Sequence, residues 1–199
     1  MAGAMILFTL AGACGGATAR GPSPATLALL EQAENAESRR RYDHARELYL
    51  QAKGQAPDDI SRARAARAYG RALIFWGEYD GASAELTEVT RLTPDDAGAW
   101  HDLGLVRHRN GDLSGAESAL RRSIQARPRD PRSRIALAAL LWQIGRHRDA
   151  LTEYQALLTL EVPPQVRDKV EWAIRTLEAR LSGSQSPTSP PPAGPEGTP

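Results

Sequence analysis

Four histidines, one cysteine and a stripe of arginines offer the most chemistry in this 199-residue chain. His101 and His108 are seven residues apart, so on a helix they share a face two turns from one another. The rise between them is about 10 Å, too far for both to bind one metal ion. His44 and His147 fall near the starts of other helices, at positions expected to be exposed. No metal site is expected. Cys14 has no second cysteine to pair with, so no intrachain disulfide can form. No serine elbow, phosphate loop, dinucleotide fingerprint, paired-cysteine motif or zinc-protease motif occurs. Asp102 lies beside His101 but projects from a different helix face. The chain therefore reads as a non-enzyme with no cofactor. What remains is recognition. Arg64, Arg67 and Arg71 recur at three and four residues, which places them in one stripe on a helix.

The elements that carry these residues follow a repeated ladder. Gly111, Ala116, Leu120 and Pro128 recur at the same spacing as Gly77, Ala82, Leu86 and Pro94. They recur again as Gly145, Ala150, Tyr154 and Val162, and upstream as Arg40, Ala45, Tyr49 and Pro57. Trp100, Leu103 and Gly104 stand ahead of the clearest ladder as W-x2-L-G. A period of about 34 residues with this pattern is a repeat signature. On these residues the chain resembles the tetratricopeptide repeat family. The resemblance implies an all-α, right-handed superhelix of four helix-turn-helix repeats, at 26–59, 63–96, 97–130 and 131–164. Ile60, Ser61 and Arg62 form a three-residue insertion between the first two. Val166, Val170, Ile174, Leu177 and Leu181 then make an apolar stripe, read as a capping helix over 165–181. The repeat domain as a whole covers 25–181.

Composition narrows the partners. The formal net charge is +1, so no bulk field draws the chain to nucleic acid. Lysine occurs only at Lys53 and Lys169, and the remaining positive charge is arginine. Residues 182–199 are mostly Pro, Ser, Gly and Thr with one charged side chain, Glu196, and read as a disordered tail.

At the other end, Ala4 to Leu10 is an apolar run too short to span a bilayer as a helix. Leu10, Ala11, Gly12 and Ala13 precede Cys14 directly. This resembles a bacterial lipobox, although no Lys or Arg occurs before Arg20. The resemblance implies a signal over 1–13, lipid on Cys14 and an envelope location with the outer membrane favoured; the Gly/Ala/Pro-rich stretch that follows, without periodicity, reads as a flexible tether over 14–24. A conventionally secreted chain, or a cytoplasmic one with an ordinary free cysteine, are the other readings.

In tetratricopeptide proteins the first helix of each repeat lines a concave groove for a peptide or helix. Carried over by position, that groove takes Leu27, Leu30, Glu34, Glu37 and Ser38 from the first repeat. The second repeat supplies Arg64, Arg67, Arg71, Ile74 and Phe75. The third supplies Gly98, His101, Leu105, His108 and Arg109, and the fourth Arg132, Ile135, Ala139, Trp142 and Gln143. The arginines imply a basic mid-groove, and arginine binds carboxylates in bidentate fashion. Phe75 and Trp142 supply apolar anchors. The expected partner is an acidic segment or a free carboxyl terminus. The clamp of chaperone-binding relatives needs Lys and Asn; here Arg67 replaces one Lys and the Asn partners are not found, so chaperone-tail binding is not expected. Trp76, Trp100 and Trp172 are expected to pack within the stack. The implied function is a lipid-anchored scaffold, similar to lipoproteins that help assemble outer-membrane, pilus or secretion machinery. A cytosolic adaptor and a self-associating structural subunit are the alternatives, and the oligomeric state is open.

Overall fold

The computed structural model describes residues 21–183. Cys14 with its lipobox-like run, and residues 184–199, lie outside the described residues. Nine helices occur among those described, and no strand. They form four antiparallel pairs and a final helix: α1 (Pro24–Ser38) with α2 (Tyr42–Gly54), α3 (Asp59–Trp76) with α4 (Tyr79–Leu92), α5 (Ala97–Arg109) with α6 (Leu113–Ala126), α7 (Pro131–Gln143) with α8 (His147–Leu157), and α9 (Pro164–Ser182).

One turn is repeated four times. The first helix of each pair ends on a residue in the left-handed region: Arg40 at φ 59°, Gly77 at 80°, Gly111 at 82° and Gly145 at 79°. In each case the next backbone N–H reaches back five residues, from Arg41 to Ala36, Glu78 to Leu73, Asp112 to Arg107 and Arg146 to Leu141. This is the Schellman closure, which satisfies carbonyls at a helix end. Glycine meets it without steric cost, whereas Arg40 must hold a conformation that L side chains rarely adopt.

The helix starts show the same economy. Ser23, Asp58, Asp96, Asp112 and Asp130 each accept a hydrogen bond from a backbone N–H two or three residues on. The expected tether thus gives up its last residues to α1, with Ser23 as cap and Pro24 in the first turn. Ser23 also donates its backbone N–H to Ser61 Oγ at 2.9 Å, pinning the start of α1 to α3. Ile60 to Arg62 do not form a loop. They extend α3 by nearly a turn at its N-terminus, because Asp58 rather than a later residue caps it.

The ladder residues form the core. Ala45, Ala82, Ala116 and Ala150 are fully buried, and Leu86 and Leu120 fill the space beside them. Gly104 shows why a small residue is needed at the crossing: a Cβ there would lie 2.7 Å from Leu120 Cγ. Truncating a fully buried leucine such as Leu103 or Leu137 costs about 2–5 kcal/mol. Packing is tighter on one side of the stack, where α1 reaches α3 directly and α5 reaches α7. A stack tighter on one side curves toward it. The first helices therefore line the inside.

Candidate partner-binding groove

The inner face divides into seams between successive first helices. Between α1 and α3 lies a cleft of about 360 Å³. Glu31, Glu34 and Glu37 form one wall; Arg64, Arg67 and Arg71 form the other. Tyr49, buried, is its floor and donates its hydroxyl to Glu37 Oε2 at 3.0 Å. Burial first, and then the Glu37 carboxylate, push the Tyr49 phenol above its ordinary pKa. Arg67 donates to Asp96 Oδ2 at 2.6 Å and to Asp102 Oδ2 at 3.1 Å. Gly98 leaves room for it, since a Cβ there would lie 2.6 Å from its Nη2. Arg64 and Arg71 are exposed and, among the described residues, have no carboxylate within 4.0 Å.

Between α3 and α5 a cleft of about 270 Å³ is lined by Arg71, Ile74, Asp102, Leu105, Val106 and Arg109. The Arg109 guanidinium lies 5.9 Å from the Tyr79 ring centroid, a cation–π distance.

The α5/α7 seam is closed by the two histidines. His108 Nε2 meets Gln143 Oε1 at 2.8 Å, and His101 Nδ1 meets Ser133 Oγ at 2.9 Å. The proton count behind His101 is fixed. Ser123 Oγ donates its one hydrogen to the Ala97 carbonyl at 2.7 Å. Ser133, 2.6 Å away, must then donate to Ser123, and His101 Nδ1 must donate to Ser133. Burial holds His101 below its ordinary pKa, so the ring is neutral at pH 7 with Nε2 as an acceptor.

Between α7 and α9 the surface is different again. Ile135, Ala139, Trp142, Tyr154, Val166, Val170, Trp172 and Ala173 line a groove of about 580 Å³. The Trp142 and Trp172 rings stack with centroids 6.0 Å apart, and Tyr154 meets Trp142 edge-on at 6.1 Å.

Residues 68–131 and 108–170 each match a model of the tetratricopeptide repeat. The fold is that of a tetratricopeptide superhelix. Among solved structures, the MamA protein superposes with a TM-score of 0.67 at 18% identity, over 79% of this chain and 82% of that one. YrrB, described as a tetratricopeptide protein with an unusual peptide-binding site, superposes with a TM-score of 0.62 at 18% identity, over 79% and 78%. The heat-shock cognate co-chaperone sgt12 of Aspergillus fumigatus is 31% identical over 106 residues. That match takes in 53% of this chain and spans only 30% of the relative's length.

Within this tetratricopeptide frame the residues singled out from sequence separate into groups. Arg64, Arg67 and Arg71 come together in the α1/α3 cleft, with Arg71 shared by the α3/α5 cleft beside Leu105 and Arg109. Ile135 and Trp142 meet in the aromatic groove. Phe75, 74% exposed at the end of α3, sits with Glu34, Glu37, Ser38, Arg40 and Tyr42. His101 and His108 are struts between repeats. Arg132 is held on Asp130, donating through Nε at 3.0 Å and Nη2 at 2.6 Å, and this pairing brings the Asp130 carboxyl down to about 2.

The basic character expected of the mid-groove is largely offset by carboxylates. Arg67 and Arg132 are neutralised by carboxylates of the chain itself, and three glutamates of α1 face the stripe. His147 is half-buried against Arg180 rather than exposed, while His44 is exposed. Trp76 packs in the stack with Tyr42, Tyr49 and Tyr69 around it, and Trp100 ties down the preceding loop by donating to the Pro94 carbonyl at 2.8 Å. Trp172 instead reaches the aromatic groove, as do Tyr154, Val166 and Val170. Their helical spacing marks an apolar face, but that signal is the same for a face turned to the core and one turned to the groove.

Proposed function

We propose that this chain is a non-enzymatic docking scaffold whose inner face takes an extended or helical segment of another protein, while lipid on Cys14 holds it at the bacterial cell envelope. Tetratricopeptide proteins act as protein-interaction scaffolds, and YrrB is described as having a peptide-binding site. The observation that carries the docking half is the sequence of seams along the inner face. Free guanidinium groups at Arg64 and Arg71 stand opposite Glu31 and Glu34 at one end, and an aromatic groove lies at the other. That arrangement suits a segment with mixed charge and a large apolar anchor rather than a purely acidic one. Arg–carboxylate pairs give register, and an aromatic anchor in an apolar groove supplies most of the affinity.

The anchoring half rests on Cys14 and the small residues before it. Among the described residues no helix is long and apolar enough to cross a membrane, so on this reading lipid is the attachment. Two chains on one cysteine give stable anchoring where one does not. Labelling with a palmitate analogue tests it: label should vanish in Cys14→Ser, and label retained by that variant removes the anchor. Affinity capture from envelope extracts tests docking. Capture unchanged by both Trp142→Ala and the pair Arg64→Glu, Arg71→Glu would remove the groove from the proposal.

The match to a co-chaperone favours one second reading, a cytosolic adaptor. It predicts a soluble, unlabelled chain in fractionated cells. Against a chaperone-tail clamp stands Arg67, the residue in the place of one clamp lysine, which is committed to Asp96 and Asp102.

A further inference from the structure

We propose that the aromatic groove between α7 and α9 binds the chain's own proline-rich segment, residues 187–195, in cis, so that a partner reaching this groove competes with it. Three observations carry this. The first is the chemistry of the groove. Trp142, Trp172 and Tyr154 present ring faces and edges along an apolar trough walled by Ile135, Ala139, Val166 and Val170. Aromatic-lined troughs recognise polyproline II segments, which are already rigid and lose little entropy on binding. Pro187, Pro190, Pro191, Pro192 and Pro195 follow α9 in this chain.

The second is reach. Gly183 caps α9 in the left-handed region at φ 72°. Trp172 lies eleven residues back along α9 from Gly183, about 16 Å at the helical rise. The seven residues from Gly183 to Pro190 span up to about 24 Å when extended. Pro190 therefore reaches Trp172 with chain to spare, and three prolines in polyproline II form cover about 9 Å. That matches the length of the Ile135–Ala139–Trp142 wall, which rises about 10 Å. A connection this short sets an effective concentration in the millimolar range, enough to fill a site of weak intrinsic affinity.

The third is charge. Lys169 is the one charged residue lining the groove, and Glu196, of opposite sign, is the one charged side chain within residues 184–199. Other seams lack the match: the α1/α3 cleft is lined by six charged side chains.

The test is fluorine NMR on the full chain labelled with 5-fluorotryptophan, whose four signals are assigned by single Trp→Phe variants. Replacing Pro190→Gly, Pro191→Gly and Pro192→Gly together should shift the Trp142 and Trp172 signals by more than their linewidths. Trp76 and Trp100 should stay in place and so report an intact stack. A synthetic peptide of residues 184–199, added at millimolar concentration to the triple variant, should move the two signals back. Trp142 and Trp172 signals unmoved by the triple variant overturn the proposal. So does a shift that disappears on tenfold dilution of the unaltered chain, which would assign the groove to a second copy.

Discussion

The α1/α3 and α7/α9 seams stand on the same frame and present opposite chemistry. Each is floored by the tyrosine at the same ladder position, Tyr49 in the first repeat and Tyr154 in the fourth. Each tyrosine meets a residue three places before the left-handed turn. That residue is Glu37 before Arg40 and Trp142 before Gly145. With glutamate the tyrosine hydroxyl becomes a donor, and the seam fills with charge. With tryptophan the ring edge packs, and the seam becomes an aromatic trough. The buried alanines Ala45 and Ala150 that hold the helices together are the same in both. Binding character here is a property of a few inner-face positions, and the frame is indifferent to it.

The comparison breaks most visibly in partner capture. Trp142→Ala should weaken capture about 30-fold, as expected for loss of an aromatic anchor worth roughly 2 kcal/mol. Arg64→Glu with Arg71→Glu should cost only a few-fold and chiefly slow association, with an effect that fades in high salt. Equal losses at low and high salt from both would show that the two seams do not differ in this way. Binding measured by surface plasmon resonance across a salt series decides it.

Within the charged seam, Arg67 differs from its neighbours because it is paired. Arg67→Ala takes the guanidinium from Asp102 and from Asp96, which keeps the Ala99 N–H, and should destabilise by about 2 kcal/mol, lowering Tm by roughly 4–8 °C. Arg64→Ala should stay within about 0.5 kcal/mol. Thermal denaturation of the two variants checks the contrast. A reversal at Arg67 in a capture assay would report unfolding as much as binding, so Arg64 and Arg71 are the clean probes of the cleft.

A smaller effect separates the first repeat from the other three. Arg40→Gly relieves a left-handed residue that the others solve with glycine, and should raise stability by about 1 kcal/mol, or Tm by roughly 2–4 °C. An unchanged or lower Tm would mean the Arg40 side chain compensates for its backbone.

The smallest effect is in pH. Burial lowers the His101 pKa below its unfolded value of about 6.5. Below that value the unfolded chain binds more protons than the folded one. Stability from this group is therefore full above about pH 6.5 and declines as pH falls toward the folded value. His101→Gln should flatten that part of the stability–pH curve in urea titrations between pH 5 and 7, and a slope that persists would place the proton elsewhere.

Much of the frame was legible in the chain. The Gly77, Gly111 and Gly145 spacing, the alanine five residues on and the large residue four further gave the repeat, because each rung makes its contact within one helix hairpin. Arg40 was visible as the odd member, though not that it would adopt the same φ as the glycines. The stripe Arg64, Arg67, Arg71 was visible as a stripe. Its charge balance was not, because Arg67 is neutralised by Asp96 and Asp102, about thirty positions away, at the cap of α5 and within it. The place of Trp172 is not legible, because a tryptophan on an amphipathic helix gives the same pattern whether it faces α8 or the trough beside Trp142.

The sequence alone determined the all-α repeat, its period and its turns, since these depend on contacts a few residues apart that every copy of the ladder repeats. Only the tertiary structure decided which arginines are free, that the histidines close a seam, and that Trp142, Tyr154 and Trp172 share one groove. Those outcomes depend on how far each first helix leans toward the next. That lean is set by side-chain volumes summed over neighbouring repeats, and no single stretch of the chain contains it.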